Sequence, residues 1–343
     1  MSFYKCSKCK RIWQYPLSEC PYCNIELDKF LSKQSKIIAV SKVMIPTIRH
    51  PQVPYFACVV EDENNNKWVH KTIQEVKEGD DLVYEKSFDK NTVAIWRVKY
   101  DYVEAIEKSL DLIGGLDLKE DSKVLILPTL NSANQSYFRE NTSPEFLSKV
   151  LEFILNKVKI ENIKIATQSF NDLPIEAMAQ RSGLLDVCMK NKIMPIDLSK
   201  SNFIKQGNLE IAEEVLNADI ILNLSMLKDG CSIALENSFR VLKRENYMGL
   251  KYLKSEKEIA QELLESLPAL VNLGEAEYIQ TTKGVIAFLG VILVSRNFIN
   301  IDRVLNEIVS QKLLPKNIED VKIENIPIVG RCIKELQFNI NNI

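Results

Sequence analysis

The sequence predicts a multidomain protein in which two small all-β modules precede a larger α/β domain with a mostly parallel sheet. Two Cys-x-x-Cys pairs open the 343-residue chain, and short apolar runs separated by turn residues follow them. Beyond about residue 88, apolar runs alternate with segments whose apolar residues have helical spacing, as is typical of α/β domains. We therefore place the domains at residues 1–34, 35–87 and 88–343.

The first module contains a candidate metal site. Cys6 and Cys9 form one pair, Cys20 and Cys23 form the other, and ten residues separate the pairs. A Cys-x-x-Cys turn brings two thiolates to one side of a loop, and two such turns can surround a metal ion with four sulfur atoms. Because that shell leaves no position for a substrate, we predict a rubredoxin-like zinc ribbon with structural Zn²⁺. Iron is the alternative metal.

Composition and charge limit the classes of protein to consider. Hydrophobic residues make up 46% of the chain and the net charge is −2, which gives no general attraction to nucleic acid or membranes. The longest apolar run, residues 284–294, is too short to cross a bilayer and predicts a buried strand. The first residues lack the apolar core of a signal peptide, so we expect a cytoplasmic protein with reduced cysteines and no membrane partner.

The second module reads as a small β barrel. Its predicted strands cover residues 37–40, 43–45, 55–60, 67–70 and 81–85. The Asn64-Asn65-Asn66 turn joins two of them, because asparagine tolerates the positive φ that tight hairpins need. Several short strands in fifty residues favour a Greek-key barrel, and an OB-fold is the simplest form of it.

These two modules together resemble a known family. The paired cysteine knuckles, a Pro-x-x-Pro-Tyr strand at residues 51–55 and a late Gly79-Asp80 are similar to the acyl-CoA-associated zinc-ribbon/OB-fold proteins, over about residues 1–87. The resemblance implies a non-catalytic partner of a thiolase-type or other acyl-CoA enzyme. It also implies coenzyme A as a bound ligand near the junction of ribbon and barrel.

A nucleic-acid partner is the weaker alternative for this module. Residues 1–49 contain nine Lys or Arg against three Asp or Glu, and Trp13 and Trp68 could stack on unpaired bases. We expect both tryptophans to be packed in small cores instead. His50 and His70, the two histidines of the chain, are expected to be loop or strand residues without a catalytic role.

The third domain alternates predicted strands with predicted helices. A hydroxyl cap and a proline at Thr142-Ser143-Pro144 predict a helix start, and Gly114 and Gly183 predict helix ends. Such alternation predicts a mostly parallel sheet with helices on both sides. The strands are predicted at residues 92–99, 123–127, 163–166, 194–197 and 219–224, and the helices at 102–113, 144–157, 174–182, 256–271 and 301–314.

Ligands of parallel α/β sheets bind at the carboxyl ends of the strands, so polar residues there are candidates. We select Asn131, Asn223 and Lys228 at such ends, together with Asp302, as possible ligand-binding residues. No dinucleotide-binding glycine motif, phosphate loop or zinc-protease motif is present. Because residues 88–343 also contain no histidine, the commonest acid/base residue near neutral pH, we assign no catalytic residue.

A second resemblance covers the third domain. Residues 124–130 (VLILPTL), Thr142-Ser143-Pro144 and residues 219–228 (DIILNLSMLK) are similar to Domain of Unknown Function 362, over about residues 92–340. The chain departs from that family at residues 127–129 and 228–230, where the family has Lys-Pro-Asn and Lys-Thr-His. It also has no cysteine cluster here for an iron–sulfur centre.

The sequence therefore predicts a non-catalytic accessory or scaffold protein of acyl-CoA metabolism. In this hypothesis the ribbon and barrel dock on a thiolase-type enzyme or hold coenzyme A. The first alternative is an enzyme that acts on a small anionic substrate at the α/β edge, with Lys228 supplying positive charge. The second is a nucleic-acid-binding OB-fold protein.

Overall fold

The computed structural model describes residues 2–15, 17–32, 34–46, 53–82, 86–99, 101–309 and 314–336. Most of the predicted strand 81–85, the loop with His50, and the predicted end of the last helix at residues 310–313 lie outside this part of the chain. The chain forms two compact units, Met1–Glu85 and Lys86–Ile343.

The first unit is all-β. Its two sheets are antiparallel and three-stranded, with strand orders β2-β1-β3 and β4-β5-β6. The segment after β6 lies along the edge of β4, because Leu82 N–H donates to the Ser35 carbonyl at 2.8 Å and Asp81 bridges Lys36. The strands are β1 (Ser2–Cys6), β2 (Ile12–Trp13), β3 (Leu27–Leu31), β4 (Ser35–Val43), β5 (Tyr55–Asp62) and β6 (Lys67–Thr72).

The hairpin between β5 and β6 has the predicted asparagine turn. Asn65 has φ 62°, in the left-handed region that asparagine tolerates. The Asp62 carboxylate accepts hydrogen bonds from Asn66 N–H at 2.8 Å and from the Ser32 hydroxyl at 2.7 Å. Desolvation alone would raise the pKa of Asp62, but these hydrogen bonds hold it below its usual value. The carboxylate thus stabilises the hairpin above its unfolded-state pKa, and this contribution is lost as the pH falls through the lower folded-state pKa.

A small core connects the two sheets of this unit. Phe3 of β1 packs with Ile37, Cys58, Val60 and Trp68 of the β4-β5-β6 sheet. The Phe3 and Trp68 ring centroids are 5.9 Å apart. Trp68 is therefore packed in a core, as the sequence led us to expect.

The second unit is built on one mixed sheet of eight strands in the order β10-β9-β8-β13-β14-β15-β7-β16. Neighbouring strands are parallel except that β15 is antiparallel to both β14 and β7. A separate hairpin pairs β11 with β12. The strands are β7 (Val93–Arg97), β8 (Val124–Pro128), β9 (Ile163–Thr167), β10 (Pro195–Asp197), β11 (Phe203–Gln206), β12 (Leu209–Ala212), β13 (Ile220–Met226), β14 (Ala269–Gln280), β15 (Ile286–Ser295) and β16 (Ile328–Gly330).

In the described part of the second unit, ten α-helices accompany this sheet. The helices are α1 (Tyr102–Leu112), α2 (Pro144–Leu155), α3 (Ile175–Ser182), α4 (Leu184–Lys190), α5 (Glu213–Leu216), α6 (Ile233–Ser238), α7 (Arg244–Leu250), α8 (Glu256–Ser266), α9 (Phe298–Ile308) and α10 (Ile333–Leu336). In the part of the chain that the structure describes, none of them is long and apolar enough to cross a membrane.

Helices cover both faces of the sheet. All seven residues of β13 and all five of β8 are buried. Adjacent residues of a strand point to opposite faces. In β14, Gly274 lies against Ile301 of α9, whereas the next residue, Glu275, hydrogen-bonds Ser143 at the start of α2. The helices α9 and α2 therefore lie on opposite faces of the sheet. This burial on both faces explains why the sequences of β8 and β13 are mostly apolar.

The predicted helix 256–271 is too long at its C-terminal end. Helix α8 begins at Glu256 with a capping box formed by Ser255 and Glu258, but it ends at Ser266. Pro268 disfavours the helical conformation of Leu267, which is extended with φ −81° and ψ 150°. The chain then enters β14, a strand that the sequence analysis did not predict.

Gly330 provides a test of the packing between β16 and β7. It has φ +85°, and a Cβ atom added there would lie 2.4 Å from the Ile95 carbonyl oxygen. We expect Gly330→Ala to reduce the free energy of unfolding by about 3 kcal/mol, from left-handed strain plus displacement of β16. Gly115→Ala is the matched control: Gly115 has φ +77° but open space around it. It should cost about 1 kcal/mol. Urea unfolding followed by helical circular dichroism measures both, and equal losses would contradict the expected contact.

Candidate metal centre and polar sheet edge

The four cysteines lie in two turns of the same geometry. Cys6 ends β1, and its carbonyl accepts a hydrogen bond from Lys10 N–H at 3.0 Å. The Cys20 carbonyl accepts the equivalent bond from Asn24 N–H at 2.9 Å. Lys10 and Asn24 both have positive φ, 61° and 51°. They occupy the positions where a glycine usually relieves such strain, so the turns form without the glycines.

The cysteine sulfur atoms form one cluster. The Sγ atoms of Cys6, Cys9, Cys20 and Cys23 all lie within 4.8 Å of one another. The Cys9 and Cys20 sulfur atoms are 3.7 Å apart. Tetrahedral zinc–sulfur bonds of about 2.3 Å place neighbouring sulfur atoms about 3.8 Å apart. The cluster could therefore hold a metal ion such as zinc.

The cluster belongs to the interior of the first unit. Cys6 and Cys20 are fully buried, and Cys9 and Cys23 are partly exposed. Tyr4 and Leu27 are buried beside the cysteines, and Trp13, Leu17 and Ile25 pack around them. Four sulfur ligands would fill every position around a tetrahedral ion such as zinc. This arrangement suits a structural metal.

In the second unit, Asn223 belongs to a buried hydrogen-bond network. Its amide nitrogen donates to the Ala234 carbonyl at 2.9 Å and to Asn272 Oδ1 at 2.7 Å. Its Oδ1 accepts from Asn237 Nδ2 at 2.6 Å. Asn237 Nδ2 also donates to the Leu127 carbonyl at 3.0 Å. The network ties α6 to three adjacent strands, β8, β13 and β14, from within the core.

Asp302 also contacts α6, from helix α9. Its carboxylate accepts hydrogen bonds from the backbone N–H groups of Ala234 at 3.1 Å and Leu235 at 2.9 Å. These N–H groups belong to the first turn of α6, where no partner within the helix is available. Asp302 is completely buried, and burial raises the pKa of its carboxyl well above the usual value. It acts as a cap for a buried helix.

The structure does not bring the four predicted ligand residues into one site. Asn223 and Asp302 are both fully buried beside α6. Asn131 and Lys228 are partly exposed at the carboxyl edge of the sheet. Both lie near Glu140. Burial alone would raise the pKa of that carboxylate, but hydrogen bonds from Ser132, the residue next to Asn131, and from Asn134, together with the charge of Lys228, hold it below its usual value. Only Asn131 and Lys228 are placed where a ligand could reach them.

Sequence reasoning missed a partly buried arginine at this edge. Arg240 Nη1 donates to the Gln168 carbonyl and Nη2 donates to Asn131 Oδ1. Gln168 Nε2 in turn donates to the Arg240 and Leu242 carbonyls, both at 2.6 Å. The arginine follows α6 without any recognisable motif, so its position could not be read from spacing. It fastens together the loops that follow β8 and β9.

Glu275 is a buried charged group that was also missed. Ser143 donates to it from its hydroxyl at 2.6 Å and from its N–H at 3.0 Å, and Arg139 Nη1 lies 3.2 Å away. Burial raises the pKa of the Glu275 carboxyl, while the bonds from Ser143 lower it. Tyr102 of α1 lies 3.4 Å from the same carboxylate and donates to Glu277 at 2.6 Å. An acidic residue within an apolar strand was the available signal, but β14 itself had not been predicted.

The fold and these sites define a two-unit protein: a small all-β unit with a four-cysteine centre, and a large mixed α/β unit. The family model described as Domain of unknown function (DUF362) matches residues 124–306, and the chain belongs to this family. The match runs from β8 to α9 and includes Asn131, Asn223, Lys228, Arg240 and Asp302. It confirms the second resemblance over that range.

Other comparisons add little. No curated protein matches the chain. Among solved structures, the "Ltp2-ChsH2(DUF35) aldolase" matches 25% of this chain and 72% of its own, with 18% sequence identity and a TM-score of 0.21. A likeness this weak transfers neither fold nor function.

The metal centre can be tested by removing one ligand. We expect Cys20→Ser to lower the metal content of the purified protein from about one ion per chain to background, because three thiolates no longer close the shell. Elemental analysis by mass spectrometry measures the content and identifies the metal. Cys332→Ser, at a partly exposed cysteine of the second unit, should keep the full content. Full metal in Cys20→Ser would show that the cluster is not the binding site.

The free energy of unfolding can show whether Asn223 stabilises the core or serves to bind a ligand. Asn223→Ala removes three hydrogen bonds and leaves Asn272 Oδ1 and the Ala234 carbonyl without this partner in the core. We expect a loss of about 3 kcal/mol in the free energy of unfolding. Lys228→Ala, at a partly exposed cation, should change it by less than about 0.5 kcal/mol. Chemical denaturation compares them, and an unchanged stability in Asn223→Ala would refute the network.

Proposed function

We propose that the protein is a non-catalytic accessory protein of acyl-CoA metabolism whose first unit docks onto a thiolase-type enzyme. In this proposal the four cysteines hold structural Zn²⁺, and the β4-β5-β6 sheet with its edge segment belongs to an OB-fold barrel. The second unit acts as a scaffold. The observation that carries the proposal is an exposed apolar face on the β4-β5-β6 sheet.

The apolar side chains of this outer sheet face are Val43, Tyr55, Ala57, Val59 and Val69, and Ser41 and Lys71 lie on the same face. The residues share one face because Val69 pairs with Val59 and Val43 pairs with Tyr55 across the strands. It is opposite to the face that buries Cys58 and Val60. Val69 is 69% exposed and the other four apolar residues are partly exposed. An exposed apolar patch on a sheet face is typical of a protein–protein interface.

Lys71 lies on the outer sheet face itself, where it pairs with Ala57, and its ammonium lies 4.7 Å from the centre of the Tyr55 ring. An apolar patch that carries a lysine fits a partner surface that is apolar with an acidic residue beside it. Such a surface commits the proposal to a protein partner rather than to a lone small molecule.

The chemistry of both units supports a non-catalytic role. A four-sulfur metal shell has no position for a substrate. In the second unit, Asn223 and Asp302 have their polar atoms engaged by α6, so they hold the fold together. Residues 88–343 contain no histidine. These facts favour a scaffold over an enzyme that uses the predicted ligand residues.

The partner can be tested with the full-length protein. We expect purification from its native cells at moderate salt to recover a thiolase-type enzyme in stoichiometric amount, identified by mass spectrometry. Val69→Glu places a charge in the centre of the outer sheet face and should weaken the purified complex at least tenfold. Titration calorimetry with the recovered enzyme measures the change.

A matched control is available in the second unit. Ile204 of β11 is 39% exposed and does not belong to the outer sheet face, so Ile204→Glu should leave the affinity unchanged. If Val69→Glu and Ile204→Glu weakened the binding of the enzyme equally, the outer sheet face would not be the docking surface. Recovery of the chain alone, or with nucleic acid in its place, would contradict the accessory role. If coenzyme A bound to the protein alone in titration calorimetry, the first unit would be a ligand-binding module rather than a docking module.

A further inference from the structure

Arg240 lies at the carboxyl ends of two adjacent parallel strands of the second unit. Its guanidinium donates to Gln168, which follows β9, and to Asn131, which follows β8. Phe170 lies beside it, with the ring centre 5.9 Å from the guanidinium carbon. The carboxyl ends of neighbouring parallel strands are where α/β sheets bind their ligands.

The guanidinium has no anion beside it. Both of its acceptors are neutral oxygens, and within the described ranges no carboxylate oxygen lies within 4.0 Å of it. Among the other arginines of this unit, Arg244 is paired with Asp172 and Arg139 with Glu275. Burial lowers the pKa of Arg240 to about 10, and the more distant Glu236 offsets only part of this. A partly buried cation held by neutral groups alone is costly, so this position favours an anion.

Donors remain for such an anion. A guanidinium has five N–H groups, and Arg240 uses two of them on protein acceptors. The Asn131 Nδ2 donates no hydrogen bond to any residue that the structure describes. Lys228, further along the edge, likewise has no carboxylate within 4.0 Å in the described part of the chain. Glu140 lies near Lys228, and the Ser132 hydroxyl and the Asn134 amide donate to one of its two oxygen atoms, Oε2, at 2.6 and 2.7 Å.

We propose that the carboxyl edge of β8 and β9 binds an oxyanion, the carboxylate or phosphate group of a small molecule, between the Arg240 guanidinium and the Asn131 amide. Lys228 adds positive charge to the same edge. Guanidinium recognises both groups through paired hydrogen bonds. The site lies in the second unit and is independent of the docking face, so either proposal can fail without the other.

A role of Arg240 as a clamp between two loops predicts a different result. Asn131→Asp distinguishes the roles, because the new carboxylate keeps the acceptor for Arg240 Nη2 and supplies the anion from within. We expect the wild-type protein to bind inorganic phosphate or malonate in titration calorimetry at low salt. Asn131→Asp should bind either probe at least tenfold more weakly, with a thermal midpoint at or above that of the wild type. The probe that binds more tightly identifies the group.

Arg240→Gln and Arg244→Gln form the matched pair for the same titration. Both remove one positive charge from the same segment, but Arg244 is an exposed residue paired with Asp172. Only Arg240→Gln should lose binding. If Arg240→Gln does not fold, Asn131→Asp still decides the question. The site is ruled out if the wild type binds neither probe or if Asn131→Asp binds as tightly as the wild type. It is also ruled out if Arg244→Gln weakens binding as much as Arg240→Gln does.

Discussion

Burial of β13 on both faces is the constraint on which the second unit depends. A strand covered by helices on each side must satisfy every polar side chain from within the protein. Asn223 meets this requirement by bonding α6 and β14, whereas the Ser225 hydroxyl of the same strand has no hydrogen-bond partner among the described residues. Asp302 of α9 caps α6. The short helix α6 is therefore fixed by side chains from a strand and from α9. Arg240 lies five to six residues beyond the capped Ala234 and Leu235, so that fixation helps to position it.

The first unit is limited by the small size of its apolar core. This core consists of five buried residues from Phe3 to Trp68 and a second group around the cysteines. Domains of this size rarely bury enough apolar surface to be stable alone and commonly use a metal. The two knuckles with Lys10 and Asn24 at positive φ are strained turns that a bound ion would compensate.

Local patterns predicted the parts of the fold that local chemistry decides. The Ser143-Pro144 cap, the apolar runs of β8 and β13 and the cysteine spacing each depend on neighbours in the sequence, and each was predicted. Strand β14 was missed because an apolar stretch after α8 suits helix or strand alike, and Pro268 was not weighed. The Arg240 edge could not be found, since Asn131 and Gln168 meet it only after β8 and β9 pair. Asn223 and Asp302 were predicted as ligand-binding residues, but both are buried and hydrogen-bond α6.

Phe3 gives the first unit a property beyond stability. It lies three residues before Cys6 on β1, and its ring fills the core beneath the β4-β5-β6 sheet. The knuckle that binds metal and the side chain that supports the sheet thus share one short strand. Loss of the ion would loosen β1, and with it the support of the surface on the other side of the sheet. If the first unit docks as proposed, its metal content would then determine how much of the protein can bind its partner.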